Sequence, residues 1–193
     1  DGYLTTTMQP TDKAITLYNH SVPQNAVILA AGFGMRMVPI NTETPKGLLE
    51  IHDEALIERI IRQLHEANIH NIYIVVGFMK EQYEYLIDEY DVTLIVNADY
   101  ASKNNLHSLN LASEYLKNSY IIPCDIWCKD NPFHKHEFYS WYMVSDAQTT
   151  ESSVRVNRKM ELTTISKTAI GNAMIGISYL SENDSSYIQQ RLS

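Results

Sequence analysis

The sequence predicts an α/β domain with a doubly wound, mostly parallel, Rossmann-like sheet and helices on both of its faces. Three observations lead to this prediction. Short apolar runs lack polar alternation, amphipathic helical segments separate them, and a glycine-bearing loop directly follows the first run. Alternating strands and helices are typical of parallel sheets, because every parallel connection needs a crossover. With 193 residues, the chain is long enough for one such domain and a short extension.

The composition narrows the classes of partner. A formal net charge of −8, with only 15 lysines and arginines, argues against nucleic acid or an anionic membrane as the main partner. An anionic substrate would therefore need local cations or a metal. No apolar run approaches the roughly 20 residues of a membrane span. Cys124 and Cys128 form neither a disulfide framework nor a zinc-ligand pattern, so we expect a cytoplasmic protein.

The first predicted strand follows an N-terminal segment of different character. Residues 1–24 are polar and contain two prolines, and we expect them to form a tail and linker. The run Ala26–Ala30 contains no polar residue, which suits a central parallel strand covered on both faces.

The loop after this strand has the composition of a phosphate-binding site. Gly32 and Gly34 have no side chains to keep a phosphate from the backbone, and they permit the positive φ angles at which N–H groups converge on an anion. Arg36 adds a guanidinium that can bind phosphate oxygens in bidentate fashion. Lys46 adds a second cation, and Pro45 before it restricts the approach of the backbone.

Two better-known glycine loops do not fit this stretch. A dinucleotide-binding fingerprint needs a third glycine where Met37 stands, and a Walker A loop needs Gly-Lys-Ser/Thr where this chain has Lys46-Gly47-Leu48. A strand followed by Ala-Ala-Gly-x-Gly-x-Arg and then Pro-Lys is a much more specific pattern than a lone Gly-x-Gly.

The later elements are predicted from apolar spacing. Helical spacing predicts an amphipathic helix over residues 55–68 and another around residues 83–90. Apolar runs predict strands over residues 71–76, 92–96 and 120–123. We expect the remainder to form a polar loop over 145–153, a hairpin of 153–156 and 161–165, a returning strand over 172–179 and a final helix beginning near 187.

Asp125 stands just past the apolar end of the predicted strand 120–123. An unpaired carboxylate is costly to bury, so Asp125 is either solvated, capping a loop or holding a cation. We prefer the cation, because Mg²⁺ typically takes only one or two protein carboxylates and completes its shell with water and substrate phosphates.

The stretch LAAGFGMRMVPINTETPKG resembles the N-terminal motif of the nucleotidyltransferases that make nucleotide-activated sugars and alcohols. From about Asn25 onward, the chain is similar to the bacterial phosphocholine cytidylyltransferases of the LicC type. The resemblance implies a nucleotidyltransferase domain over residues 25–193 that transfers CMP from CTP to phosphocholine, releases pyrophosphate and depends on Mg²⁺. It also implies that a further C-terminal segment carries a second metal-binding aspartate.

The resemblance implies roles for individual residues. Lys46, Arg36 and Asp125 would be catalytic, and Asp125 would be the principal metal ligand. The nucleotide would contact Leu29, Ala30, Ala31, Gly32, Phe33, Gly34, Met35, Arg36, Lys46, Gly77, Asn97, Asn104, Asn105 and Ser108. An asparagine side chain can both donate to and accept from the edge of a pyrimidine base, which suits Asn97, Asn104 and Asn105. The structural alternative is that Asn105 or Ser108 caps a helix.

Tyr139, Trp141 and Tyr142 form the densest aromatic cluster in the chain. A quaternary ammonium has no hydrogen to donate and is recognised by aromatic faces, so this cluster is the predicted choline site. Core packing of a strand is the alternative interpretation.

Other functions stay open at this stage. A nucleotide-sugar pyrophosphorylase would share the loop and the metal aspartate. A non-catalytic nucleotide-sensing module of a DNA-binding regulator is the second alternative, because residues 2–14 resemble the wing and last helix of a winged-helix domain. A disordered or artificial extension explains those residues equally well. The expected partners are the small molecules CTP and phosphocholine, without a membrane.

Overall fold

The structure is a computed structural model that describes residues 2–33, 43–166 and 168–192. Within these residues, a central sheet of six strands carries helices on both faces. The strands are β1 (Asn25–Ala30), β2 (Glu50–Ile51), β3 (Glu54–Ala55), β4 (Asn71–Val76), β5 (Thr93–Val96), β6 (Ser119–Pro123), β7 (Trp141–Thr149), β8 (Val154–Val156), β9 (Leu162–Thr164) and β10 (Gly171–Leu180). The α-helices are α1 (Asp12–His20), α2 (Leu56–Glu66), α3 (Tyr85–Tyr90), α4 (Asn105–Leu111) and α5 (Glu182–Leu192).

The central sheet has the strand order β5-β4-β1-β6-β10-β7. The first four strands of this order are parallel, and β10 runs antiparallel to both β6 and β7. β1 pairs with β4 on one side and with β6 on the other, as its uninterrupted apolar run predicts. The mostly parallel, doubly wound sheet predicted from the sequence is confirmed.

The two faces of the sheet are covered by different helices. Because side chains alternate along a strand, Ile28 of β1 packs in a cluster with Ile61 of α2 and Leu86 of α3, whereas Val27 packs with Leu116 on the opposite face. Residues of α4 and α5 cover that second face. Because both faces of β1 are covered by helices, neither face needs polar side chains, and this explains the uninterrupted apolar run at residues 26–30.

Three sequence predictions need correction. The predicted polar loop over residues 145–153 is wrong in its first half, because β7 continues to Thr149 by pairing with β10, and backbone pairing does not require apolar side chains. The predicted helix near residues 83–90 is divided, with a 3-10 turn at Lys80–Tyr83 and α3 beginning at Tyr85. The final helix, predicted to begin near residue 187, begins at Glu182.

The N-terminal segment contains α1, which begins after Thr11 and buries none of its residues. The Thr11 hydroxyl accepts a hydrogen bond from the Ala14 N–H, at 3.4 Å. The helix contacts the domain through Tyr18, whose ring stacks on His136 with centroids 4.0 Å apart. The division of the chain after residue 24 stays a prediction.

Among the helices of the described ranges, none combines the length and apolarity that a bilayer crossing demands.

We expect Leu64→Ala to lower the free energy of unfolding by about 2–5 kcal/mol, because Leu64 is fully buried against the sheet. Ile87→Ala is the matched control, since the Ile87 side chain on α3 is 45% exposed. Urea unfolding of both variants checks this expectation, and equal losses would contradict the packing described above.

Candidate functional site

The candidate site lies at the edge of the sheet where the parallel strands end. From β1 the chain proceeds to β4 and β5 on one side, and it then crosses back to β6 on the other side of β1. Ligands of doubly wound sheets bind in the crevice outside the carboxyl ends of the strands, where the strand order reverses. Here Ala31–Phe33 follows β1 and Asp125 follows β6, so both segments border that crevice.

Lys46 and Asp125 meet at this edge although 79 residues separate them in sequence. The Lys46 Nζ lies 2.9 Å from Asp125 Oδ2, and the two side chains are 20% and 35% exposed. Lys46 begins a short 3-10 turn directly after the extended Pro45. Partly exposed ion pairs typically contribute about 1 kcal/mol or less, so an anion or a metal can separate the two groups at small cost.

The residues next to this ion pair, namely Gly47, Tyr83 and Cys124, are uncharged and tightly packed. A Cβ at Gly47 would lie 3.1 Å from the Tyr83 Oη and 3.2 Å from the Cys124 Cβ. Burial raises the pKa of the Tyr83 phenol, and burial together with the Asp125 charge raises the pKa of the Cys124 thiol to about 12. Both groups therefore stay protonated near neutral pH and do not compete with Asp125 for a cation.

The absence of a side chain at Gly77 lets the end of β4 pack closely against the loop that follows β1. A Cβ at this position would lie 2.8 Å from the Ala31 carbonyl oxygen and 2.6 Å from the Tyr100 Cβ. The Phe78 N–H also donates a hydrogen bond to the Ala31 carbonyl, at 3.1 Å. At Gly32, by contrast, no atom of the described residues lies within 4 Å of a Cβ, so none of them crowds this part of the loop.

The other residues predicted for the phosphate loop fall into two groups. Ala30 is buried, and the Leu29 carbonyl accepts a hydrogen bond from the Cys124 N–H at 3.2 Å, so both belong to the wall of the site. Gly34, Met35 and Arg36 lie outside the described residues, and their contribution to phosphate binding stays a prediction.

Two aromatic side chains beside the loop, Phe78 and Tyr100, were missed by the sequence analysis. The Phe78 ring meets the ring of Phe33, a predicted nucleotide contact, edge to face with centroids 4.5 Å apart, and it lies 6.3 Å from the Tyr100 ring. The positions of Phe78 and Tyr100 just past β4 and β5 were the available signal.

The asparagines predicted to read the base are largely engaged in the fold. The Asn97 Nδ2 donates to the Ser108 Oγ at 3.0 Å, and both side chains are buried. Asn104 caps α4, since its Oδ1 accepts from the Leu106 N–H at 3.1 Å. Helix capping therefore occurs, but at Asn104 rather than at Asn105 or Ser108. Asn105 is exposed at the start of α4, and base recognition by the group stays a prediction.

The aromatic cluster predicted to bind choline lies away from the ion pair. Trp141 and Tyr142 are the first residues of β7, which is the edge strand and is separated from β6 by β10. The strand register places both residues beside the amino-terminal half of β1, whereas Asp125 follows the carboxyl end of β6. The Trp141 ring packs edge to face on Tyr120, with centroids 6.0 Å apart, and Tyr139 is 72% exposed. The structure does not bring these rings to Lys46 and Asp125, so their choline-binding role stays a prediction.

Asp125 has the chemistry of a Mg²⁺ ligand that needs a substrate to complete its shell. Within the part of the chain that the structure describes, no cluster of three or more His, Cys, Asp and Glu side chains could hold a metal. The Lys46 ammonium already places one cation at the Asp125 carboxylate. A single carboxylate is enough for a Mg²⁺ site where a substrate supplies phosphate oxygens, because Mg²⁺ is usually held by one or two carboxylates together with phosphates and water.

Comparison with known proteins agrees with this arrangement. The chain belongs to the MobA-like NTP transferase domain family, which matches residues 26–148 and thus more than half of the sequence. It is similar to a choline-phosphate cytidylyltransferase of Streptococcus pneumoniae, with 44% identity over 117 residues that cover 61% of this chain and 51% of the relative. A 2-aminoethylphosphonate cytidylyltransferase of Lancefieldella rimae is 39% identical over 102 residues, 52% of this chain and 42% of the relative.

A solved structure is also similar over most of the chain. The CTP:phosphocholine cytidylyltransferase LicC of Streptococcus pneumoniae matches with a TM-score of 0.81 and 33% identity, over 89% of this chain and 76% of that structure. The chain spans about half the length of the curated relatives described above.

We expect Gly77→Ala to destabilise the protein by about 1–3 kcal/mol, because the new methyl group would press on the backbone oxygen of Ala31. Gly32→Ala is the control, since its Cβ would meet no described atom and should change the free energy of unfolding by about 0.5 kcal/mol or less. Chemical denaturation compares the two; a Gly77→Ala protein as stable as Gly32→Ala would refute the tight contact.

We expect Lys46→Met to strengthen Mn²⁺ binding by the nucleotide-free protein about 2- to 5-fold, because the ammonium would no longer compete for Asp125. Electron paramagnetic resonance of free Mn²⁺ measures this affinity. Lys80→Met is the control, because Lys80 pairs with the exposed Glu81 and does not contact Asp125. Unchanged affinity in Lys46→Met would mean that the ion pair does not restrict the carboxylate.

Proposed function

We propose that this chain transfers the cytidylyl group of CTP to phosphocholine, giving CDP-choline and pyrophosphate, in a Mg²⁺-dependent reaction in the cytoplasm. The observation that carries the proposal is the meeting of Lys46 with Asp125 at the switch point of an NTP transferase fold. The names of the relatives support CTP as donor, and that of the first supports phosphocholine as acceptor. Cys124 and Cys128 are free thiols, consistent with a reducing compartment.

The proposed chemistry is an in-line displacement at the α-phosphorus of CTP. A phosphate oxygen of phosphocholine forms the new bond to that phosphorus, and the bond to the bridging oxygen breaks as pyrophosphate leaves. A phosphate dianion is already a nucleophile near neutral pH, so the protein needs little general-base assistance. Its task is to position the two anions and to compensate their charge.

Different residues of the crevice would perform different parts of this task. The Lys46 ammonium would leave Asp125 and stabilise the charge that develops around the α-phosphate, which the low cost of opening the ion pair permits. The open side of Gly32 would let the triphosphate approach the backbone, with Arg36 as the predicted phosphate ligand. Asp125 would hold Mg²⁺, which would neutralise phosphate oxygens of both substrates.

The choice of phosphocholine as the acceptor draws no direct support from the aromatic rings at residues 139–142. Because they lie away from Asp125, the aromatic argument for choline over other acceptors weakens. A second candidate is therefore cytidylyl transfer to a different phosphate or phosphonate, such as the 2-aminoethylphosphonate in the name of one relative.

Pyrophosphate release tests the proposal. The assay compares CTP with UTP, GTP and ATP, and phosphocholine with 2-aminoethylphosphonate and glucose 1-phosphate, all with Mg²⁺. We expect turnover with CTP and phosphocholine. Turnover with another acceptor alone would favour the second candidate or a nucleotide-sugar pyrophosphorylase. CTP binding without turnover on any acceptor would favour a nucleotide-sensing module.

We expect Lys46→Ala to lower kcat/KM about 100-fold, because electrostatic stabilisation of this kind is worth roughly 3 kcal/mol. The control is Lys80→Ala, which removes a cation that pairs with Glu81 rather than with Asp125 and should leave turnover unchanged. Normal turnover by Lys46→Ala would show that the role assigned to Lys46 is wrong.

A further inference from the structure

The loop that carries Asp125 is not held by the sheet. This loop, here the Asp125 loop, comprises residues 124–131 and contains no helix or strand. The Cys124 N–H donates to the Leu29 carbonyl, at 3.2 Å, and anchors its start. Among the described residues, no backbone-to-backbone hydrogen bond joins residues 125–131 to the rest of the chain. Apart from the packing of Ile126 and Cys128 against the core and the hydrogen bond from the Asn131 Nδ2 to the Gln63 carbonyl, at 2.7 Å, the loop after Asp125 is held by side chains that reach it from α2.

Arg59 of α2 is the side chain with the most extensive contacts to the Asp125 loop. Its Nε donates to the Cys128 carbonyl at 2.8 Å, and its Nη2 donates to the Lys129 carbonyl at 2.7 Å. The guanidinium also lies over the Trp127 ring, 4.7 Å from the centroid. Three consecutive loop residues are thus held by one planar group, beginning two residues after Asp125.

The Arg59 guanidinium is itself fixed on its other side. Its Nη1 donates to Glu54 Oε2 at 3.0 Å, and only 16% of the side chain is exposed. Hydrogen bonds from Arg62 and Arg59 hold the pKa of Glu54 below its ordinary value, so this carboxylate stays charged. Gln63, one turn further along α2, donates a second hydrogen bond to the Cys128 carbonyl at 3.2 Å.

We propose that Arg59 is a positioning residue that fixes the Asp125 loop and so presents the Asp125 carboxylate to the metal. The inference rests on the proposed function in one respect, namely that Asp125 takes a divalent cation. A guanidinium suits this role because its rigid fork can donate to two successive carbonyls while its face stacks on a ring, which a lysine ammonium cannot do. Partners of this kind behind a metal ligand typically matter about 10- to 100-fold in metal affinity or activity.

Arg62 provides a matched control on the same helix. It also binds Glu54, through its Nε at 2.9 Å, and it pairs with Glu66 at 2.8 Å. Its side chain is 46% exposed, and its own hydrogen bonds end on Glu54 and Glu66, of which Glu66 also accepts from the Asn131 Nδ2, at 3.1 Å, at the far end of the Asp125 loop. Removal of Arg62 disturbs the charges around Glu54 and Glu66 but takes away none of the direct contacts between Arg59 and residues 127–129.

The test compares Arg59→Met, Arg59→Lys and Arg62→Met in the full chain. Limited tryptic cleavage after the exposed Lys129, whose carbonyl the Arg59 guanidinium binds, reports the order of the loop. Mn²⁺ binding in the presence of CTP, followed by electron paramagnetic resonance, reports the competence of Asp125. We expect Arg59→Met to speed cleavage after Lys129 and to weaken Mn²⁺ binding about 10- to 100-fold, while Arg62→Met stays within about twofold of the wild type.

A role in fold stability alone would leave a different pattern. Reduced thermal stability with unchanged cleavage after Lys129 and unchanged Mn²⁺ affinity would overturn the inference, as would equal effects of Arg59→Met and Arg62→Met. If Arg59→Met fails to fold, Arg59→Lys serves in its place, because it keeps a cation beside Glu54 but loses the planar guanidinium. Arg59→Lys should also weaken Mn²⁺ binding, by a smaller factor than Arg59→Met.

Turnover measured on the same proteins separates this inference from the proposed function. In a cytidylyltransferase, we expect Arg59→Met to lower kcat at limiting Mg²⁺ and to recover part of the loss at high Mg²⁺, with little change in KM for CTP. A wild-type protein without turnover, in which Arg59→Met still loosens the loop and weakens Mn²⁺ binding, would contradict the proposed function and support the inference. A wild-type protein that binds no Mn²⁺ with CTP would overturn the inference.

Discussion

The structure depends on the burial of β1 between two layers of helices. Because β1 pairs in parallel with β4 and β6, the chain has to leave it in one direction and return on its other side. That reversal opens the crevice in which the loop after β1 faces the end of β6. The apolar run of β1 thus determines more than the core, since the position of Lys46 and Asp125 at one edge follows from it.

At that edge, the electrostatics combine a loose ion pair with a rigid, neutral base. Lys46 and Asp125 are partly exposed and can separate at small cost, whereas Gly47, Tyr83 and Cys124 beneath them are closely packed and uncharged. A site built in this way can exchange an internal ammonium for a metal and a phosphate without rearranging its base. The protein's net charge of −8 makes such local compensation necessary for an anionic substrate.

The two sides of the crevice are stabilised by different means. On the β4 side, Gly77 permits backbone contact with Ala31, so main-chain atoms define the geometry. On the β6 side, the loop after Asp125 bonds to Arg59 and Gln63 instead of to a neighbouring strand. Side-chain anchors allow a loop to differ between relatives while the sheet stays the same, which is consistent with a fold shared by enzymes named for different acceptors.

The sequence by itself determined the parallel core, the helix over residues 56–66 and the nucleotidyltransferase motif, because these depend on local periodicity and on short-range spacing. The final helix begins at Glu182, earlier than its apolar spacing predicted. Local polarity misled it at Ser145–Thr149, where pairing with β10 extends a strand. Only the tertiary structure brought Lys46 to Asp125, engaged Asn97 with Ser108 inside the fold, separated the rings at 139–142 from the ion pair and showed Arg59 behind the Asp125 loop. These relations join residues far apart in the chain, and a single sequence records distance along the chain but not which distant side chains the strand order places together.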